Sequence, residues 1–408
     1  MYLYFVTLTQ IKEVLIMEKE KLNEMLETRA SLQISLIGVG NAGNQLLNEA
    51  IKHDMEVFAI NSSYADLNNS VVNKDIKSFI IGKEARGAGK NRKVALSFMK
   101  DNGIELMTEV PYFTEMCNRS DVIIVAGSTA GGTGSGVCPS LIAVLKQQYP
   151  QKIVIYCGIL PRLTDSVKAQ ENSIGCLSDI TKMNIPYFLA DLEAYQGIPN
   201  DIAYKKIQSY IIDCINSIRG KYLNKSSYGM IDENDMRTVI AEPGYLSIYN
   251  LDKVSQTQLD KESMQKMMIQ NIKHAPAAEI MRDGIVRQMA VIVNMPDDMS
   301  DSSRASDYEE LITYIGRPLT IFENYAITQG ATGQMVIILS GQTTPYNRLA
   351  KMSEIVTEYK EKANKQKKFN LDNLVSEELT DTIPDFLKDN NKVEEEKNDT
   401  LKNFFNNL

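Results

Sequence analysis

Val122-Ile123-Ile124-Val125-Ala126-Gly127-Ser128-Thr129-Ala130-Gly131-Gly132-Thr133-Gly134-Ser135-Gly136 reads as a buried strand, a glycine-rich turn and the approach to a helix over about 137–148. Glycine lets the backbone come close to a ligand and adopt positive φ. The free N–H groups at the following helix start then face an anion. Gly127, Gly131, Gly132, Gly134 and Gly136 lie so close together that they cost chain entropy with no evident packing gain, which favours a ligand over an ordinary turn. A second loop of the same design, Gly38-Val39-Gly40-Asn41-Ala42-Gly43, follows the apolar run Ile34–Val39. Two such loops at the carboxyl edge of one parallel sheet suggest a polyphosphate gripped from two sides.

Working outward, strands and helices alternate. Strands are expected at Ile34–Val39, Val57–Ile60, Val122–Ala126, Ile153–Ile159 and Tyr187–Ala190, with helices near 44–53 and 137–148. A basic, glycine-containing loop at 82–92 precedes helical segments that run to about 118. Apolar strands alternating with helices predict an α/β fold, a Rossmann-like parallel sheet with helices on both faces. A long central helix follows over 202–218, with Ile207, Ile211, Ile215 and Ile218 on one face. Beyond it the rhythm changes. Strands at about 245–249, 289–294, 318–326 and 334–340, with helices near 256–273 and 305–315, predict a second, smaller α/β domain with a mixed sheet. The short glycine-containing link between the last two strands predicts a hairpin. The domain plan is thus an N-terminal helical extension (1–30), a nucleotide-binding domain (31–200), the central helix and its connection (201–228), a second domain (229–343), a C-terminal helix (344–364) and a polar tail (365–408) expected to be disordered.

Composition narrows the chemistry. The 408 residues carry 44 Lys plus Arg against 52 Asp plus Glu, a net charge of −8, which argues against a nucleic-acid-binding surface overall. With His53 and His274 the only histidines, zinc sites and Ser-His-Asp machinery are poorly supplied. Cys117, Cys138, Cys157, Cys176 and Cys214 form no CxxC pair, and their odd number suits a reducing cytoplasm. The apolar start, residues 1–16, is too short to span a bilayer and has no basic region before it, so neither a signal peptide nor a membrane anchor is expected. The first loop satisfies G-x-G-x-x-G, but the second strand ends Asn61-Ser62-Ser63 without the carboxylate that a dinucleotide site wants for its ribose. No G-x-x-x-x-G-K-[ST] is present, which excludes a P-loop.

Ala130-Gly131-Gly132-Thr133-Gly134-Ser135-Gly136 resembles the phosphate-loop signature of the tubulin and FtsZ GTPase family. Gly40-Asn41-Ala42-Gly43-Asn44-Gln45 is similar to that family's first nucleotide loop, Asn61–Leu67 to its second, and Gly87-Ala88-Gly89-Lys90-Asn91 to the third, where backbone N–H groups meet the γ-phosphate. Leu160 to Asp165 resembles the fifth, whose carboxylate takes the ribose hydroxyls. The resemblance, strongest over 34–45, 126–140 and 229–240, implies GTP or GDP with Mg²⁺ as ligands. It implies phosphate contacts at Gly40, Asn41, Ala42, Gly87, Ala88, Gly89, Gly131, Gly132, Thr133, Gly134 and Ser135. Asn44, Gln45 and Asp165 fall at the ribose and base, Tyr204 would stack on guanine, and Gln208, one helical turn on, would read its edge. Leu192 stands where the family has a base-reading asparagine, which leaves Asn200 as the substitute. No protein ligand for the metal is assigned; phosphate oxygens and water are expected to hold it.

Asp232-Glu233-Asn234-Asp235-Met236-Arg237 resembles the catalytic loop of FtsZ. By themselves, acids in a first helical turn are caps and dipole partners. The resemblance implies more: Asp232 and Asp235 would act on the GTP of the next subunit in a head-to-tail filament. Among the branches, the N-terminal helix, the short base-site connection and the long last helix look like TubZ, which segregates plasmid and phage DNA. The implied function is a self-assembling GTPase whose tail meets a DNA-bound adaptor. Ile383–Lys388 resembles instead the C-terminal adaptor peptide of FtsZ, so a division or phage-positioning filament is the alternative. A GTP-binding scaffold without turnover and a nicotinamide-dependent oxidoreductase are the more distant ones.

Overall fold

β4 (Val122–Ser128) is buried along almost its whole length, and its side chains feed two different cores. Ile123 and Val125 join one apolar cluster, while Val122, Ile124 and Ala126 join the other. β1 (Ile34–Val39) divides in the same way, with Leu36 on one side and Ile37 on the other. This is the period-2 alternation of a strand covered on both faces. The computed structural model describes residues 32–82, 84–226, 228–254, 261–296, 308–329 and 332–367. The expected N-terminal helix and nearly all of the polar tail lie outside these residues.

The other strands are β2 (Glu56–Asn61), β3 (Lys77–Ile80), β5 (Ile153–Leu160), β6 (Pro186–Asp191), β7 (Tyr228–Gly229), β8 (Gly244–Val254), β9 (Gln288–Pro296), β10 (Thr320–Thr328) and β11 (Gly333–Gln342). Together they make one eleven-stranded sheet in the order β3-β2-β1-β4-β5-β6-β8-β11-β9-β10-β7. From β3 to β8 every pairing is parallel; β11 then pairs antiparallel with both β8 and β9. The two halves of the sheet meet at a short seam, where Pro186 faces Gly244 and Tyr187 faces Tyr245.

One face carries α1 (Gly40–Ala50), through Leu46 and Leu47, together with the central helix, which contributes Ala203, Ile207, Ile211, Ile215 and Ile218. The helices between these two are α2 (Tyr64–Ser70), α3 (Arg92–Thr108), α4 (Pro111–Arg119), α5 (Gly132–Gln148) and α6 (Val167–Lys182), and the central helix is α7 (Asn200–Ile218). On the opposite face α5 packs Val137, Cys138, Leu141, Ile142 and Leu145 against the sheet, beside Ala95 and Met99 of α3. The second half adds α8 (Glu233–Ala241), α9 (Lys261–His274), α10 (Glu309–Ile315) and α11 (Tyr346–Lys367).

Two expectations need correction. α1 and α5 begin at Gly40 and Gly132, earlier than hydrophobic periodicity suggests, because glycines themselves form their first turns. The expected hairpin of the last two strands does not form. β10 pairs with β9 and β7, β11 pairs with β9 and β8, and β9 stands between them. β10 and β11 still run in opposite directions, and stepping over one strand spans about 10 Å, within reach of a four-residue link.

A buried ion pair fixes the start of α11 to the carboxyl edge of the sheet. Arg348 donates from Nε to Asp191 Oδ2 at 2.7 Å and from Nη2 to Oδ1 at 3.1 Å, and also to the carbonyl of Pro161 just after β5. Tyr187 and Thr344 join hydroxyls at 2.7 Å nearby. Burial pushes the Asp191 carboxyl above the ordinary carboxylate range, and the Arg348 guanidinium opposes that rise. Removing the cation from a buried pair costs about 3–5 kcal/mol. Arg348→Ala is therefore expected to lower the thermal midpoint. The deficit should be least in acid, where Asp191 is protonated and tolerates burial. It should grow as pH rises through the raised pKa of Asp191, because the folded state then holds a charge that the unfolded chain would release to water. Circular-dichroism melts of wild type and variant across pH measure that difference.

Candidate functional site

Both glycine loops open helices that lack side-chain caps. The N-cap residues of α1 and α5 are Val39 and Gly131, neither makes a side-chain cap bond, and neither helix has an acid in its first turn. Helix geometry leaves the N–H groups of Gly132, Thr133 and Gly134 without intrahelical partners. They face a cleft of about 1070 Å³ at the carboxyl edge of the parallel strands. Uncapped helix starts with their positive dipole ends turned into one cleft favour a polyanion.

The loops are locked together through missing side chains. A Cβ on Gly43 would lie 2.3 Å from the Ala126 carbonyl oxygen, and one on Gly134 would lie 2.7 Å from that of Ser128. A Cβ on Gly132 would meet Ala88 and Lys90 at 3.0 Å, and one on Gly136 would meet the Arg92 carbonyl at 2.6 Å. Most of the glycines between 127 and 136 thus have a packing role, contrary to the expectation from sequence. Gly131 differs: it lines the cleft, and a Cβ there would have no neighbour within 4 Å. Hydroxyls tie the loops further, with Ser62 and Thr133 2.7 Å apart.

Of the residues expected from sequence, Gly40, Asn41, Ala42, Gln45, Gly87, Ala88, Gly89, Gly131, Gly132, Thr133, Gly134, Asp165, Asn200, Tyr204 and Gln208 line this one cleft. Asn44 and Ser135 do not. Asn44 is fully buried beneath the first loop, where its Nδ2 donates to the carbonyls of Gly38 at 2.8 Å and Ile60 at 3.2 Å, so its amide is spent on backbone. The Ser135 hydroxyl bonds back to the carbonyl of Gly131 inside the first turn of α5. Both side chains support the loops from behind.

At the far end of the cleft Arg162 acts as a clamp that sequence reading missed. It donates to Asn200 Oδ1 at 2.8 Å and to the carbonyls of Tyr195 and Ile198 at 2.9 and 2.7 Å. Its own N–H donates to Asp165 Oδ2 at 2.9 Å. The loop carrying Asp165 and the start of α7 are therefore held as one unit. Tyr204 is pushed above its ordinary phenol pKa by burial first and by the Asp165 carboxylate second, with Arg162 opposing. It stays a neutral ring with a donating hydroxyl. Nothing in the sequence distinguishes Arg162 from a surface arginine except its place after Pro161.

Asp232 and Asp235 lie outside the cleft lining. They form a reciprocal capping box at the start of α8: Asp235 N–H donates to Asp232 Oδ1 at 2.8 Å, and Asp232 N–H donates to Asp235 Oδ2 at 3.1 Å. The capping role that acids in a first turn suggest is real. It occupies one oxygen of each carboxylate and fixes the orientation of the other. Arg237, on the next residues of the same helix, bonds to Glu233 at 2.9 Å and to Asp121. Asp121 immediately precedes β4 and the phosphate loop follows it, so α8 is anchored at the amino edge of the strand whose carboxyl end opens into the cleft. Among the described residues no group of three or more His, Cys, Asp or Glu side chains is arranged to hold a metal ion. No described helix is long and apolar enough to cross a membrane.

The family model described as Tubulin/FtsZ family, GTPase domain, matches residues 33–189. The tubulin-like protein TubZ of Clostridium botulinum C phage is 25% identical over 325 residues, covering 78% of this chain and 80% of that protein. Among solved structures, a GTPγS-form protofilament of Bacillus thuringiensis serovar israelensis TubZ superposes with a TM-score of 0.66 at 16% identity, over 85% of this chain and 99% of that one. The GTPγS-bound protofilament of Haloferax volcanii CetZ2 gives 0.65 at 18% identity, over 82% of this chain and 100% of that one. Residues 33–189 match the tubulin/FtsZ GTPase domain, and members of that family are GTPases.

The two kinds of glycine separate in a simple experiment. Gly131→Val should keep the wild-type melting midpoint yet weaken GTP binding about tenfold or more, because its side chain intrudes only on the cleft. Gly134→Ala should lose about 1–3 kcal/mol of stability through overpacking against Ser128. Thermal melts and nucleotide titrations of both variants check this.

Proposed function

We propose that the tubulin/FtsZ GTPase domain of residues 33–189 holds GTP in the cleft, and that a second copy of the chain, docked head to tail, completes its hydrolysis. The observation that carries this reading is the separation of the two halves of the site. The uncapped helix starts open at the carboxyl edge of β4, while the capped carboxylates sit on a helix tied to Asp121 at the amino edge. Stacking one subunit on the next brings an amino edge to a carboxyl edge. Repetition of such a heterologous contact generates an open filament. The protofilament titles of the similar TubZ and CetZ structures support self-association.

In the bound state the N–H groups of α1 and α5 take the phosphates, Tyr204 and Gln208 take the base, and Asp165 takes the ribose. Mg²⁺ would come with the phosphates, held by their oxygens and water, and would neutralise their charge. The uncapped oxygens of Asp232 and Asp235 orient the water that attacks the neighbour's terminal phosphate. Phosphoryl transfer asks for positioning and charge stabilisation above all, and a carboxylate pair locked in a capping box supplies the positioning. Hydrolysis then weakens an interface that GTP has joined. The likeness to the phage TubZ supports a role in moving plasmid or phage DNA, with the polar tail coupling the filament to a DNA-bound adaptor.

Asp235→Asn tests the arrangement without breaking the helix start, because the asparagine oxygen still accepts from the Asp232 N–H. The variant should bind GTP as wild type does, assemble into filaments that persist, and release phosphate about two to four orders of magnitude more slowly. Nucleotide titration, light scattering and phosphate release on the same preparation measure all three. Loss of GTP affinity with turnover per bound nucleotide retained would contradict the assignment.

A further inference from the structure

The loop between β3 and α3 enters the cleft with a backbone that few side chains tolerate. Gly87 (φ 87°), Gly89 (φ 55°) and Lys90 (φ 58°) all lie in the left-handed region. Glycine adopts it freely, whereas a lysine there is strained and persists only where its surroundings hold it. Here the surroundings do hold it. Asn172 of α6, buried to 2% exposure, donates from Nδ2 to the carbonyls of Lys90 and Ala130, both at 3.0 Å. One amide thus joins the lysine to the phosphate loop. The Lys90 Cα lies 3.0 Å from where a Cβ on Gly132 would be, so this backbone is pressed against the N-terminus of α5. The Lys90 side chain is exposed, lines the cleft and engages no carboxylate of the described residues.

We propose that the Lys90 ammonium reads the terminal phosphate and sets the preference for the nucleoside triphosphate over the diphosphate. The inference rests on the cleft being the guanine-nucleotide site and adds to it a specificity residue. Tyr204 and Gln208 stand on α7, which packs on the same face of the sheet as α1. Ala88, next to the lysine loop, packs with α3 and α5 on the opposite face. A nucleotide with its base on α7 and its phosphates across the N-terminus of α5 points the end of its phosphate chain at Lys90. A diphosphate stops one phosphate short. The other cations of the cleft are placed differently: Arg86 pairs with Glu84 at 3.8 Å, and Lys205 stands on α7 at the base end. The strained backbone is then the means by which a flexible ammonium is brought beside backbone N–H donors that would otherwise bind either nucleotide.

The test is calorimetric titration of the full chain with GTPγS and with GDP, each with Mg²⁺, below the protein concentration at which it assembles. The proteins are wild type, Lys90→Ala, Lys90→Gly and Lys90→Arg, with thermal melts on each. Lys90→Ala and Lys90→Gly should lose about tenfold or more in GTPγS affinity while their GDP affinity stays within about twofold of wild type. Lys90→Arg should keep most of the preference. Lys90→Gly relieves the backbone strain, so its melting midpoint should be no lower than wild type even as discrimination is lost, a combination that a structural role for the lysine does not produce. Parallel losses for the two nucleotides, or an unchanged ratio in both Lys90→Ala and Lys90→Gly, would overturn the inference while leaving the guanine-nucleotide site intact. A wild-type protein that binds neither nucleotide would overturn that site reading, and the inference with it.

Discussion

β4 sets the length on which the rest depends. It is seven residues long and buried, and at a rise of about 3.3 Å per residue it separates Asp121 from the glycine loop that begins at Thr129 by about 26 Å. A strand fully paired on both sides does not shorten. Asp121, which holds α8 through Arg237, and the loop that opens into the cleft are kept at its opposite ends, and Asp232 and Asp235 lie outside the cleft lining. In the proposed function that constraint makes a pair of capped aspartates, unremarkable on a single chain, the facing half of a site that two copies complete. It also makes assembly and hydrolysis one process in the proposed function, since the contact that lengthens the filament is the contact that carries the carboxylates to the phosphate.

Rigidity at the cleft comes from close backbone contact more than from side chains. Gly43 against Ala126, Gly134 against Ser128 and Gly132 against the Lys90 loop bring three chain segments within distances that any Cβ would prevent. The glycines lose more conformational freedom on folding than other residues would. The gain is a set of donors already in place when an anion arrives, which lowers the ordering cost of binding. Polar side chains complete the lock from outside: Asn172 between the Lys90 loop and the loop of Ala130, Arg162 between its own loop and the start of α7, and Arg348 from α11 to Asp191 and Pro161. The last of these bonds ties the C-terminal helix to the loop that carries Asp165, one short segment from the cleft.

What could be read in the sequence was what repeats or what is chemically rare. β1 and β4 stand out as unbroken apolar runs because both faces of the sheet are covered, and the glycine loops stand out because such density of glycine is uncommon. The misreadings have equally physical causes. β10 and β11 look like a hairpin because a short link is local information, whereas the insertion of β9 between them is a long-range pairing that no local pattern records. The density of glycine in the second loop points to a ligand, whereas most of these glycines serve contact with other chain segments, a distinction set by the tertiary fold. Asn44 and Ser135 stand beside cleft residues in the sequence, yet the Asn44 amide bonds the Gly38 and Ile60 carbonyls and the Asn61 amide, and the Ser135 hydroxyl bonds the Gly131 carbonyl. Arg162 and Asn172 leave no mark in the sequence because a single polar residue carries no periodic signal; only its hydrogen-bond partners reveal its role.

In the proposed function each active site is shared between two subunits, and the GTP hydrolysis rate per subunit through a dilution series puts that sharing to the test. Light scattering on the same samples marks the concentration at which filaments form. Turnover per subunit is expected to be negligible below that concentration and to rise steeply above it. A specific activity that stays constant through dilution below the assembly threshold would contradict it, because a subunit alone would then hold everything hydrolysis requires.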